Sequence, residues 1–224
     1  MGCGDDDRSL FSTSKDSKIA TKPSYEGERL NGIPHGKGIF TFPNGARYEG
    51  QVINGKPNGF GVNLFANGDR YEGEYLNGKS HGQGKITMKS GSSYEGTWQE
   101  GMMEGKGTYS YADGRRYEGD FHFSEIEGTG IMTYPDESRY EGEFKHGKHN
   151  GRGKLLLADG KEYEGEFKND KPNGMGIVKV DGTIYRGEIL EGFRHGKGSF
   201  TTGDGSRYLG HWKKGKRYGL GIAY

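Results

Sequence analysis

The 224-residue chain has one cysteine, six prolines and no apolar run approaching the ~20 residues that a membrane-spanning helix needs. One cysteine excludes an internal disulfide and suits a reducing compartment, so a cytoplasmic location is expected. The start, Met1-Gly2-Cys3-Gly4-Asp5, lacks the basic-then-apolar pattern of a secretory signal. Charge of one sign is missing too: 32 basic residues face 31 acidic ones, which gives no global reason to bind nucleic acid. Leu, Ile, Val and Phe total only 36 residues, too few for a deep aliphatic core. That shortage signals disorder only when net charge is high, and here it is +1.

What the chain has instead is glycine, 44 residues, and aromatics, with 15 Tyr, 11 Phe and 2 Trp. Proline is too scarce, and glycine falls too irregularly in threes, for collagen. Rings burying on the order of 150–250 Å² each can replace an aliphatic interior. The glycines form a lattice. Tyr-x-Gly begins at Tyr25, Tyr48, Tyr71, Tyr94, Tyr117, Tyr140, Tyr163, Tyr185 and Tyr208, at a spacing of 23 residues that drops once to 22, between Tyr163 and Tyr185. Each unit reads Y-E-G-x-x-x-x-G-x-x-x-G-x-G with a further Gly later, and 41 of the 44 glycines occupy these positions. Gly2, Gly4 and Gly203 lie elsewhere.

Numbering each unit from its Tyr, positions 1, 3 and 5 share one strand face. Position 5 is mostly apolar: Tyr75, Trp98, Phe121, Phe144, Phe167, Ile189 and Trp212, with Arg29 the polar exception. Positions 12, 14, 16 and 18 have the matching parity of a second strand, with pairs such as Tyr109/Tyr111, Met132/Tyr134 and Leu155/Leu157 at the last two. Asn77-Gly78 marks the turn within a unit, and Asn67-Gly68 or Asp113-Gly114 the turn between units. Glycine at positions 3, 12 and 14 has two readings: room for a tyrosine ring lying on the backbone, or special dihedral angles at bulges. A lone hairpin is not stable, so the units must stack into one continuous sheet. At ~4.8 Å per strand, about eighteen strands give a rod roughly 80 Å long.

This pattern resembles the MORN repeat (membrane occupation and recognition nexus) over residues 25–224, with the ninth unit truncated. The resemblance implies an all-β fold: an elongated, single-layer, twisted antiparallel sheet of nine tandem hairpin repeats with a groove along one face. It also implies a scaffold or adaptor, read here as non-enzymatic; since a single-layer sheet cannot bury every ring against another layer, Trp98, Tyr109, Tyr111, Phe121 and Tyr134 are candidate contacts for a peptide or helix. Such proteins resemble scaffolds at membrane–cytoskeleton junctions. An axonemal, radial-spoke-like part of a cilium is the second expectation, and a phosphoinositide-binding targeting partner of a lipid kinase the third. MORN repeats also accompany catalytic domains, but residues 1–24 form too short a segment for one and read as a disordered tail.

Several motifs invite chemistry. Gly73-Glu74-Tyr75-Leu76-Asn77-Gly78-Lys79-Ser80 matches the nucleotide pattern G-x-x-x-x-G-K-[ST], but that motif needs a strand-to-helix loop and here arises from the repeat period. His35, His81 and His195 share position 11 as polar turn residues, and the first two are four strands apart, so no metal site, cofactor or catalytic centre is expected. Gly2 and Cys3 fit a myristate and a palmitate, and two acyl chains anchor where one does not. Against that, Asp6 occupies the usual Ser/Thr position, and Asp5 to Asp7 would be repelled by anionic lipid. Lys213, Lys214, Lys216 and Arg217 offer an acidic-lipid site or, alternatively, lysines that guard an open sheet edge. Ser124, Glu137 and Asp170 stand where glycine is expected, and changes of twist that shape a partner site are one reading of them.

Overall fold

In the third unit, β5 (Arg70–Leu76) and β6 (Lys79–Thr87) are joined by Asn77 and Gly78 alone, at φ 52° and 88°. Two successive positive φ values make the type I′ turn, whose twist matches that of the flanking strands, and Asn and Gly are the residues that accept it best. The same two-residue turn closes every other unit, from Asn31-Gly32 to Lys214-Gly215. A computed structural model describes residues 22–224, and these hold eighteen strands, from β1 (Ser24–Leu30) to β18 (Lys216–Ala223), with no helix among the described residues. Each strand pairs antiparallel with the one before and the one after it, giving one open sheet whose edges are β1 and β18. The expected single-layer sheet of nine hairpins is the observed fold.

The register shows which glycine is needed for what. Gly73 faces Gly84, and Gly84 faces Gly96 in the next unit. Continued across the sheet, positions 3 and 14 form an unbroken seam from Gly27 and Gly38 to Gly210 and Gly221. A β-carbon on Gly130 would lie 2.5 Å from the Tyr117 ring, so this column is glycine for lack of space. Position 12 is different. Between the pairs Gly73↔Gly84 and Tyr75↔Ser80 the return strand holds two extra residues, a bulge larger than the usual single insertion. Gly82 sits in that bulge at φ 62°, and the Glu74 carboxylate across from it accepts the Gln83 N–H at 3.1 Å. Both readings of the glycines therefore hold, each at its own position.

The seventh unit lacks one residue, and the loss falls in the turn to the eighth. β14 (Lys171–Val180) and β15 (Thr183–Leu190) are joined by Asp181 and Gly182, both at positive φ, where the third and fourth units are joined by the five residues 88–92. Pairing runs on undisturbed from Val180↔Thr183 to Gly174↔Ile189. The deletion thus changes a turn and leaves the sheet's register intact.

Candidate functional site

The glycine seam makes a floor on which the position-1 tyrosines lie. Tyr48, Tyr71, Tyr94, Tyr117, Tyr140 and Tyr185 are all fully buried, and each hydroxyl donates to the carbonyl three residues on, as Tyr94 does to Thr97 O at 2.9 Å. Burial pushes these phenols up, Tyr48 and Tyr94 to about 12, so they stay protonated donors. Each position-5 ring stands edge-on between two tyrosines: Trp98 is 5.1 Å from Tyr71 and 5.3 Å from Tyr94, and Phe121 is 4.8 Å from Tyr94 and 5.3 Å from Tyr117. T-shaped contact is the favoured geometry for aromatic pairs. The zipper corrects the expectation for two candidate contacts. Trp98 and Phe121 are 7% and 3% exposed, and the Trp98 indole N–H donates to Gly84 O. They are core. Tyr109, Tyr111 and Tyr134 are half-buried along the zipper's margin, with Arg115 over the Tyr111 ring and the Tyr134 hydroxyl 3.0 Å from His149 Nε2.

The aromatic face opens elsewhere. Phe167 packs on Tyr140 and Tyr163, and Trp212 packs on Tyr185 and Tyr208, but position 5 between Tyr163 and Tyr185 is Ile189. The margin also shrinks there, from Tyr109 and Tyr111 to Leu155 and Leu157, then to Val178 and Val180. Smaller side chains beside the shortened Asp181-Gly182 turn leave an apolar groove of about 600 Å³ over units six to eight, with Pro172 and Phe200 in its walls and Lys161 and Arg194 among its lining. The Arg194 guanidinium stands 4.5 Å over Trp212 and 5.2 Å over Phe200, and burial holds its pKa below the usual arginine range. Sequence reasoning placed the contact surface in units four and five. The signal for the groove was the change from aromatic to aliphatic in three columns over units five to eight, next to the missing residue.

The remaining candidates resolve one by one. Gly73 to Ser80 is the β5–β6 hairpin, with the Gly78 N–H donating to Pro57 O at 2.8 Å, so its backbone amides do not form a phosphate cradle. His35, His81 and His195 are half-buried strand residues beside the bulge, not turn residues, and at least three strands separate one from the next. Trp212 faces Arg217 and Lys213 faces Lys216, which puts Arg217 on the aromatic side, over the Tyr208 ring, and the two lysines on the other. Lys214 is in the turn between them. The four basic residues therefore make no single patch. Gly2 and Cys3 lie outside the described residues, as does most of the expected tail, while Ser24 already belongs to β1.

At the irregular turns, Ser124, Glu137 and Asp170 adopt φ 66°, 69° and 68°, the glycine conformation, so the sheet is not re-twisted by a new turn type. Two of them add a bond between units: Met103 N–H donates to Ser124 Oγ at 3.1 Å, and His149 N–H to Asp170 Oδ1 at 2.8 Å. Glu125, Glu127 and His146 also bring ligand atoms within 4.8 Å of one another, a grouping the sequence hid because His146 comes from the following unit. Glu125 and His146 are exposed and hydrogen-bonded to each other.

Fold and surface together define a tandem β-hairpin repeat protein with an aromatic face and an apolar groove in it. The family profile described as MORN repeat matches nine consecutive segments, residues 25–47, 48–70, 71–93, 94–115, 117–139, 140–162, 163–183, 185–207 and 208–223, and the chain belongs to that family. No curated protein sequence matches the chain as a relative. Among solved structures, it is similar to the TCP10 domain of Danio rerio CPAP in complex with a peptide of STIL, at 17% identity and TM-score 0.37 over 84% of this chain and 89% of that one. It is also similar to the Drosophila melanogaster SAS-4 TCP domain in complex with a proline-rich motif of Ana2, at 10% identity and TM-score 0.39 over 89% and 95%.

Proposed function

We propose that the chain is a non-enzymatic scaffold whose groove over units six to eight takes an apolar segment of a protein partner. The observation that carries this is the groove itself: rings stand at position 5 on either side, and between Tyr163 and Tyr185 aliphatic walls leave about 600 Å³ open. Water on such walls is released when a matching side chain enters, worth about 25 cal/mol per Å² of apolar surface covered. The rigid floor spares the array most of the ordering cost of binding. Acylation at Gly2 and Cys3 would tether the rod to a membrane from the cytoplasmic side, and mass spectrometry of the natural N-terminus tests that part directly.

For the groove, a random peptide library displayed on phage is selected on the full chain. Enriched sequences are expected to share aliphatic or aromatic anchors and to lose binding to Val178→Asp and Val180→Asp variants whose melting matches the parent. A selection that enriches nothing, or peptides that bind both variants as well as the parent, would end this reading.

A further inference from the structure

We infer that the groove selects a segment carrying a carboxylate beside its apolar side chains, and that Arg194 reads that charge; the inference rests on the groove reading above. The position-10 column runs Pro34, Pro57, Ser80, Met103, Ile126, His149 and Pro172 before it turns to Arg194 and Arg217. A cation thus enters the aromatic face at the groove. Arg47, Arg70, Arg115, Arg116 and Arg139 each pair with a carboxylate at 2.6–2.9 Å on exposed surface. Arg194 does not: the groups around its half-buried guanidinium are the rings of Tyr185, Phe200 and Trp212, with Arg217 adding a second positive charge nearby.

In a chain with 31 acidic residues, none lines the groove, while Lys161 does. Partial burial has taken some of the water from the Arg194 guanidinium without supplying an anion. The rings compensate through their faces but leave its in-plane N–H fork free. A carboxylate fits that fork with two parallel hydrogen bonds, strengthened by the apolar walls. The occupant is therefore a peptide in which Asp or Glu lies close to one or more aliphatic or aromatic residues. An uncharged apolar segment would leave the cation as it is, and a basic one would be repelled by Lys161, Arg194 and Arg217.

The test uses the peptides enriched on the full chain, synthesised as selected, with Asp and Glu changed to Asn and Gln, and with both changed to Lys. Binding is followed by fluorescence anisotropy on the parent and on Arg194→Met, which keeps an apolar stem over Trp212. The acidic peptides should weaken at least about tenfold on neutralisation, as expected for loss of a charge-assisted bidentate contact. Arg194→Met should abolish that difference while binding the neutral peptides within about twofold of the parent. If the enriched peptides show no acidic preference, or Arg194→Met keeps it, Arg194 is not the reader and the inference fails while the groove reading stands. Sodium dodecanoate displacing the peptides with no acidic preference among them would also overturn it, in favour of a fatty-acid site. Peptides indifferent to Val178→Asp would remove the groove reading and this inference together.

Discussion

Gly130 and Gly147 are required for different reasons, and substituting each by alanine separates them. Gly130 has no positive φ, and its added β-carbon would fall 2.5 Å from both Cε2 and the hydroxyl oxygen of Tyr117, whose ring is locked by its hydroxyl bond to Asp120 O at 3.0 Å. Gly147 has φ 72° with nothing within 4 Å, so alanine there meets only the left-handed backbone penalty. Gly130→Ala should cost about 3 kcal/mol, the upper end of overpacking, and Gly147→Ala about 1 kcal/mol. Urea unfolding of both variants checks the order, and equal costs would mean that the ring does not constrain the seam.

His149 sets a pH limit at the same scale. Its ring stacks on Tyr140 at 3.6 Å, Nε2 is within 3.0 Å of the Tyr134 hydroxyl, and the nearest carboxylate, Asp170, is 3.9 Å from Nδ1. Burial lowers its pKa, and Asp170 opposes the shift without reversing it. The unfolded chain therefore binds a proton more readily than the folded one. This contribution to stability is whole above the free histidine value of ~6.5 and is lost as pH falls below it. Melting temperature should drop less between pH 7.5 and 5 for His149→Phe than for the parent, and parallel profiles would exclude His149 as the cause.

At the scale of the hairpin, β9 (Arg116–His122) and β10 (Glu125–Thr133) are joined by Phe123 and Ser124, both at positive φ and neither glycine. A bulky residue in that region is strained, and Phe123 is 62% exposed, so it gains little burial in return. Four of the nine turns use Asn at this position: Asn31, Asn54, Asn77 and Asn169. Phe123→Asn should stabilise the protein by about 0.5–1 kcal/mol, since Asn tolerates the left-handed conformation and Phe does not. Thermal unfolding measures this, and a destabilised variant would show that the Phe123 contact with His122, at 4.1 Å between ring centroids, outweighs the strain.

The hairpins themselves were legible in the sequence because Asn-Gly pairs and alternating parity act locally. The bulge was legible only as one of two readings of the glycines, because its place depends on how many residues separate Gly73 from Tyr75 and Gly84 from Ser80 across two strands. The split of Lys213 and Lys216 from Arg217 was not legible, because only the pairing of β17 (Arg207–Lys213) with β18 decides it.

At the scale of the array, the period announced the fold, and the position of the opening followed from what no single unit contains. Trp98 is exposed in any picture of its own hairpin; Tyr71 from the unit before completes its burial. Ile189 looks like an ordinary apolar residue until its column is seen to hold rings in the units on either side. This coupling between neighbours predicts how the array tolerates deletion. Removing residues 94–116 would join Ser93 to Tyr117, bring Gly119 opposite Gly84 in place of Gly96, and set Phe121 between Tyr71 and Tyr117 as Trp98 now stands between Tyr71 and Tyr94. Every interface in the shortened protein then already exists in kind, so it should fold, with a urea m-value lower by about one-ninth as surface exposed on unfolding shrinks by one unit of nine. Removing residues 94–104 instead takes out all but the first residue of one strand (Ser93–Gln99) and the first three residues of its partner (Met102–Ser110), so the next two strands meet with the wrong direction and the seam is cut at Gly96. That variant should be insoluble or unfolded by circular dichroism, and if it folded as well as the whole-unit deletion, stability would not depend on the seam running unbroken from unit to unit.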